Sequence, residues 1–108
     1  MPQIRIRGME ISKVRSISKT LADNLVEIVG CPKDYFTIEH ISTTYFMDGE
    51  EILSYPFVEV AWFDRGQVIQ DKTAGILSKT IRDQGYDLVE IVFIPYDESR
   101  YYENDNHF

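Results

Sequence analysis

The sequence predicts an α+β fold in which two successive β-α-β units build one four-stranded mixed sheet with both helices on one face. Three features lead there. Residues 2–7 alternate polar and apolar side chains, the period of a strand with one buried face. Ile11, Val14, Ile17, Leu21, Leu25 and Ile28 then recur at spacings of three and four, which sets them along one side of a helix. The third feature is repetition. Residues 56–61 reproduce the pattern of residues 2–7, proline first, 54 positions later, and residues 77–83 mirror residues 17–23 at a spacing of 60.

In chain order, Gly8 ends the first strand, and Gly30 followed by Cys31 and Pro32 stops the first helix, because glycine takes the left-handed C-terminal position and proline cannot continue. Residues 35–46, rich in β-branched and aromatic side chains, predict the second strand, and residues 47–51 a surface turn. Residues 56–61 form the third strand, residues 62–66 an insertion, and the segment around residues 77–83 the second helix. The last strand, residues 88–94, closes at Pro95, with Glu90 in the place that Glu39 holds in the second strand. A helix joining two strands in such a unit makes them parallel through a right-handed crossover. The expected organisation is a single domain over residues 1–108, with repeat one at about 2–46, repeat two at about 56–95 and a tail at 96–108.

With 108 residues, 44% apolar and 27% charged, the chain can bury one core and has no compositional mark of disorder. Its net charge of -7 and lack of basic runs argue against nucleic acid and anionic membranes as partners. No apolar stretch is long enough for a membrane span or a signal core, so a cytoplasmic protein is expected. Cys31 is the sole cysteine, with only His40 and His107 as further soft ligands, so neither a disulfide nor a metal site is expected.

Strand alternation turns Ile4, Ile6, Val58, Val60, Val89, Ile91 and Phe93 toward the helices. Gln3, Arg5, Arg7, Glu59, Phe57 and Phe63 are left on the other face with Glu39 and Glu90. In a lone chain that face and the sheet edges stay open, which predicts a symmetric assembly, with Arg5 and Arg7 pairing to Glu59 or Glu90 across subunits.

Proline directly after Met1 at the head of one β-α-β unit, and Pro56 at the head of a second, resembles the tautomerase superfamily, in particular its two-repeat members of the macrophage migration inhibitory factor type. The Gly30-Cys31-Pro32 junction, residues 46–49 and the Asn106-His107-Phe108 ending carry the same resemblance, closest to a small uncharacterised bacterial branch. The resemblance implies a homotrimer and keto-enol proton transfer on a small carbonyl compound or unsaturated carboxylic acid, without a cofactor. Pro2 is then the catalytic base, its secondary amine freed by removal of Met1, because an acylated proline nitrogen has no basic lone pair. The alternative is a non-catalytic oligomeric module that binds a small ligand or another protein.

Substrate-positioning groups depart from the family pattern. Thr37 stands at the strand position of a family arginine, Cys31 at that of a lysine, and Glu90 and Val92 at those of a tyrosine and an asparagine. Arg65, at the end of the third strand and just before the second helix, is the candidate for holding a carboxylate, since its planar fork suits that group; Arg5 and Arg7 are the alternatives, although strand geometry turns them to the open face. A solvated loop arginine is the other reading. Trp62, Phe63 and, through the resemblance, Tyr102 are candidate pocket walls; packing is the alternative for each. Cys31 reads as a small buried hydrophobe or a thiol, and His40 as a packed, hydrogen-bonded residue.

Overall fold

The polar-apolar alternation at the start of the chain becomes β1, Gln3–Arg7, with Ile4 and Ile6 fully buried and Gln3, Arg5 and Arg7 half-buried on the opposite face. The computed structural model describes residues 2–108, so Met1, on whose removal the amine chemistry depends, lies outside the described residues. Helix α1 spans Ile11–Val29 and lays Val14, Ile17, Leu21, Ala22, Leu25 and Val29 onto the sheet. Its buried stripe begins one turn later than the apolar spacing suggests, leaving Ile11 58% exposed. Gly30 ends it in the left-handed conformation, φ 75°, and donates its N–H to the Val26 carbonyl at 2.9 Å. That is the conformation glycine adopts at least cost.

The segment at residues 35–46 is not one strand. Lys33–Tyr35 form a 3₁₀ turn, β2 covers only Thr37–Ile41, and the chain then makes a separate hairpin of β3, Tyr45–Met47, and β4, Glu50–Ile52. β2 runs parallel to β1 from Gln3 opposite Thr37 to Arg7 opposite Ile41, and it loses its partner where β1 ends. At the hairpin tip Asp48 and Gly49 both have positive φ, 51° and 79°, the geometry that a two-residue Asp-Gly turn supplies.

β5, Phe57–Phe63, is longer than expected and takes in Trp62 and Phe63, so the insertion before α2, Gln67–Arg82, shrinks to Asp64, Arg65 and Gly66. β6, Glu90–Tyr96, runs through Pro95, which faces Trp62. β6 is an edge strand, whose free side tolerates the missing N–H. The sheet order is β2-β1-β5-β6, with β1/β2 and β5/β6 parallel and β1/β5 antiparallel. Both helices cover one face, where Leu21, Leu25, Leu77 and Ile81 meet Ile4, Ile6, Val58, Val60 and Trp62. Each such apolar side chain contributes roughly 1.5–3 kcal/mol on burial.

The two units superpose in their hydrogen bonding. The Thr37 N–H donates to the Pro2 carbonyl, and the Glu90 N–H to the Pro56 carbonyl, both at 3.1 Å. Glu90 therefore occupies the place of Thr37 and not that of Glu39; Val92 matches Glu39. The Arg5 and Arg7 pairings are likewise internal. Arg5 lies 3.8 Å from Glu39 and 4.0 Å from Glu59, Arg7 lies 3.5 Å from Glu59, and the Arg7 guanidinium sits 4.3 Å above the Phe57 ring. In the tail, the 3₁₀ turn Glu98–Arg100 precedes a small hairpin of β7, Tyr102–Glu103, and β8, Asn106–His107.

Candidate active site

Pro2 heads β1, one of the two central strands, with less than 2% of its surface exposed. Because β1 and β5 are antiparallel with Gln3 opposite Ala61, the head of β1 lies at the Trp62–Phe63 end of β5. Pro2, Trp62, Phe63 and Arg65 thus share one end of the sheet, but their side chains do not converge.

Alternation sends Trp62 to the helix side, where it is 1% exposed and packs on Phe93 at 5.0 Å between ring centres. It is a core residue in the chain and not part of an open mouth. The same alternation turns Phe63 to the other face. Arg65 reaches across to the end of α1, where its Nη1 donates to the Val29 carbonyl at 3.3 Å. No basic residue stands in the last turn of α1, so Arg65 supplies the cation that the negative end of the helix dipole favours. Its Nε is buried and lacks a hydrogen-bond partner among the described residues. Tyr102 is 59% exposed, edge-on to His107, and lines a shallow depression with Pro95, Tyr96, Asp97, Arg100 and Tyr101.

What the fold does bring together beside Pro2 is a cluster built by the tail. Tyr101 and Phe108 stack at 5.0 Å, and the Phe108 N–H donates to the Tyr101 carbonyl at 3.0 Å, so the tail hairpin closes on itself. Both rings rest against Phe63, at 5.4 and 5.7 Å, and Tyr96 joins them, 5.2 Å from Tyr101. Gln3 is fastened to this cluster. Its Oε1 accepts from the Tyr96 hydroxyl at 2.7 Å and from Arg5 Nη2 at 3.1 Å, while its Nε2 donates to the Tyr101 hydroxyl at 3.3 Å. Arginine only donates, which fixes the amide orientation. Ala61, on the same face, is 1% exposed, so this end of the face is covered within the chain, whereas Ile41 and Val92 farther along it stay exposed. The density of aromatic residues in the tail was the sequence signal for this cluster; nothing marked Gln3.

Cys31 is half-buried against the core, and His40 Nε2 donates to the Met9 carbonyl at 2.8 Å, a hydrogen-bonded packing role. At the opposite end, near Pro56, the Tyr55 phenol is held above its ordinary pKa by a hydrogen bond to Glu90, reinforced by desolvation. Among the described residues no three His, Cys, Asp or Glu side chains gather as a metal site, and no helix is long and apolar enough to cross a membrane.

Two helices on one face of a mixed sheet built from two β-α-β units, with a proline heading each, define the tautomerase-superfamily fold in its macrophage migration inhibitory factor-like form. A macrophage migration inhibitory factor-like protein from Entamoeba histolytica matches with a TM-score of 0.74 at 13% identity, covering 99% of this chain and 98% of that one. A fused 4-OT described as an asymmetric trimer matches with a TM-score of 0.83 at 14% identity, over 97% of this chain and 94% of its own. Within that fold the chain belongs to the family described as a domain of unknown function, DUF1904, whose model matches residues 1–107. A DUF1904 protein from Sebaldella termitidis is 45% identical, with a TM-score of 0.93 and 100% of both chains covered. No curated protein sequence matches.

Proposed function

We propose that this protein is a tautomerase-type isomerase, in which the amine of Pro2 takes a proton from the carbon beside the carbonyl of a small keto or unsaturated carboxylic acid and returns it to another atom of the same substrate. The observation that carries the reading is the position of Pro2, enclosed at the head of a central strand of a tautomerase-superfamily fold. Removal of Met1 converts the Pro2 nitrogen from an amide to a secondary amine. The reference pKa of an α-amino group is about 7.7–8.0, and apolar walls lower it toward a base usable at neutral pH. Arg65 is the proposed holder of the substrate carboxylate. Phe63 and Tyr102 flank the substrate, and Trp62 backs them from the core. No cofactor takes part. The open sheet face, with Ile41 and Val92 exposed, is the surface that a cytosolic homotrimer covers.

A second reading, a non-catalytic oligomer that binds a small ligand or a protein, is favoured by one observation. Arg65 and Trp62 are engaged in packing, the first on the Val29 carbonyl and the second in the core. Intact mass separates the two readings, because a native protein that keeps Met1 has no amine at Pro2. With Met1 absent, ketonisation of phenylpyruvate and 2-hydroxymuconate is measured for wild type and Pro2→Ala. Loss of turnover in the variant supports the base, and equal rates reject it.

A further inference from the structure

A base at the very start of a chain faces a physical problem. The first residues of a domain fray unless they are tied down, and a frayed amine cannot hold a reacting geometry. Once Met1 is gone, Pro2 is the terminal residue, and among the described residues its backbone is tied by the Thr37 N–H, which donates to its carbonyl. The next residue is held far more firmly than strand pairing requires. Gln3 engages Tyr96, Arg5 and Tyr101 at once, and Tyr101 is itself pinned between Phe63 and Phe108. A half-buried amide with both its oxygen and its nitrogen satisfied, joined to two elements 93 and 98 positions away in sequence, is a specific arrangement at the end of the sheet face that the tail covers.

We propose that Gln3, clamped by Tyr96 and the tail residue Tyr101, is the positioning residue for the Pro2 amine, and that the C-terminal tail is in this way part of the active site. The inference rests on the proton-transfer reading above. The tail rings close the end of the sheet beside Pro2, and the clamp fixes the direction in which β1 enters it. Tyr96 comes from the edge strand β6 and Tyr101 from the segment between the 3₁₀ turn and β7, so the strand head is anchored from two independent elements. The clamp does not touch the reacting atoms; it acts through the backbone of the residue that follows the base.

The test uses the full chain lacking Met1, with ¹⁵N-labelled proline, in wild type, Gln3→Ala, Gln3→Glu and Tyr96→Phe forms. Turnover and the titration of the Pro2 amine are measured together. Gln3→Ala should lower kcat about 10- to 100-fold, as misplacement of a reacting group does. It should also move the amine pKa up toward that of a solvated terminus, about 7.7–8.0. Gln3→Glu keeps an acceptor for Tyr96 and Arg5 and should recover most of kcat. Its added carboxylate favours the protonated amine, so the acid limb of the pH profile shifts to higher pH. Tyr96→Phe removes only the hydroxyl and keeps the ring packed on Phe63, so it should show a smaller loss in the same direction even if Gln3→Ala folds poorly. An active wild type with Gln3→Ala and Tyr96→Phe matching it in both rate and amine pKa would overturn the clamp alone. A wild type lacking Met1 but without turnover on any acid overturns the proton-transfer reading, and the clamp with it.

Discussion

Gly8→Ala is the substitution on which the geometry of the two-repeat sheet makes its sharpest demand. Gly8 follows β1 and passes directly under the chain entering β5. A Cβ built there would stand 1.8 Å from the Tyr55 carbonyl oxygen and 2.5 Å from its carbon, both backbone atoms that cannot swing away. The residue also has φ +83°, a conformation that costs a side-chain-bearing residue about 1–2 kcal/mol. Relieving the overlap requires the junction between the repeats to shift, and overpacking of that kind costs typically 1–3 kcal/mol more. The expected loss is about 2–5 kcal/mol. Gly30→Ala is the matched control, since its φ is +75° but nothing lies within 4 Å of the added Cβ, so only the conformational cost of about 1–2 kcal/mol applies. In urea denaturation at fixed protein concentration, a slope of about 2 kcal/mol/M turns these losses into midpoint shifts of about 1–2.5 M for Gly8→Ala and about 0.5–1 M for Gly30→Ala. Equal shifts for the two variants would refute the close approach of Gly8 to the Tyr55 backbone.

Two further outcomes concern pH. Asp23 sits between Lys33, at 2.6 Å, and Lys19, at 2.9 Å, and the hydrogen bond from Lys33, then that from Lys19, hold its carboxyl below the ordinary 3.8. Its contribution to stability is present above 3.8 and is lost as pH falls through the lowered folded value. Carbon-13 titration should show Asp23 returning toward 3.8 in Lys33→Met, and an unchanged curve would contradict the assignment. Tyr55 behaves in the opposite sense. Its folded pKa is raised above 10.0, chiefly by the Glu90 hydrogen bond, so the stability it contributes is complete below pH 10 and is lost as pH rises through the folded value. Ultraviolet titration of tyrosinate should move that transition down in Glu90→Gln; no movement would remove Glu90 as its cause.

Most of the fold was legible because periodicity and repetition report on burial. The three- and four-residue spacing found α1, Gly30 marked its end, and the second proline-headed strand revealed the duplication. What escaped depended on partners distant in sequence. Residues 35–46 have strand composition throughout, but pairing with β1 stops at Ile41, and composition carries no information on where a neighbour ends. Glu90 was assigned to the wrong register because its local sequence resembles that around Glu39; only the hydrogen bonds to Pro2 and Pro56 align it with Thr37. Trp62 could have been placed in the core by extending the Val58, Val60 alternation two residues, since β5 does continue that far. The partner of Arg65 is a backbone carbonyl, and backbone groups leave no mark in a sequence. For the candidate site, Pro2 was legible from its position, whereas Gln3 gained significance only once the tail was seen to fold back over the head of β1.

The central claim is that Pro2 moves a proton at carbon, and deuterium exchange measures that step without waiting for the physiological substrate to be known. Protein lacking Met1 is incubated with phenylpyruvate in D₂O, and deuterium incorporation at the carbon beside the carbonyl is followed by NMR for wild type and Pro2→Ala. A positioned base should accelerate exchange, and its removal should lower the rate about 10²- to 10⁴-fold. Equal exchange rates for the two proteins, or a wild-type rate no faster than buffer, would contradict it.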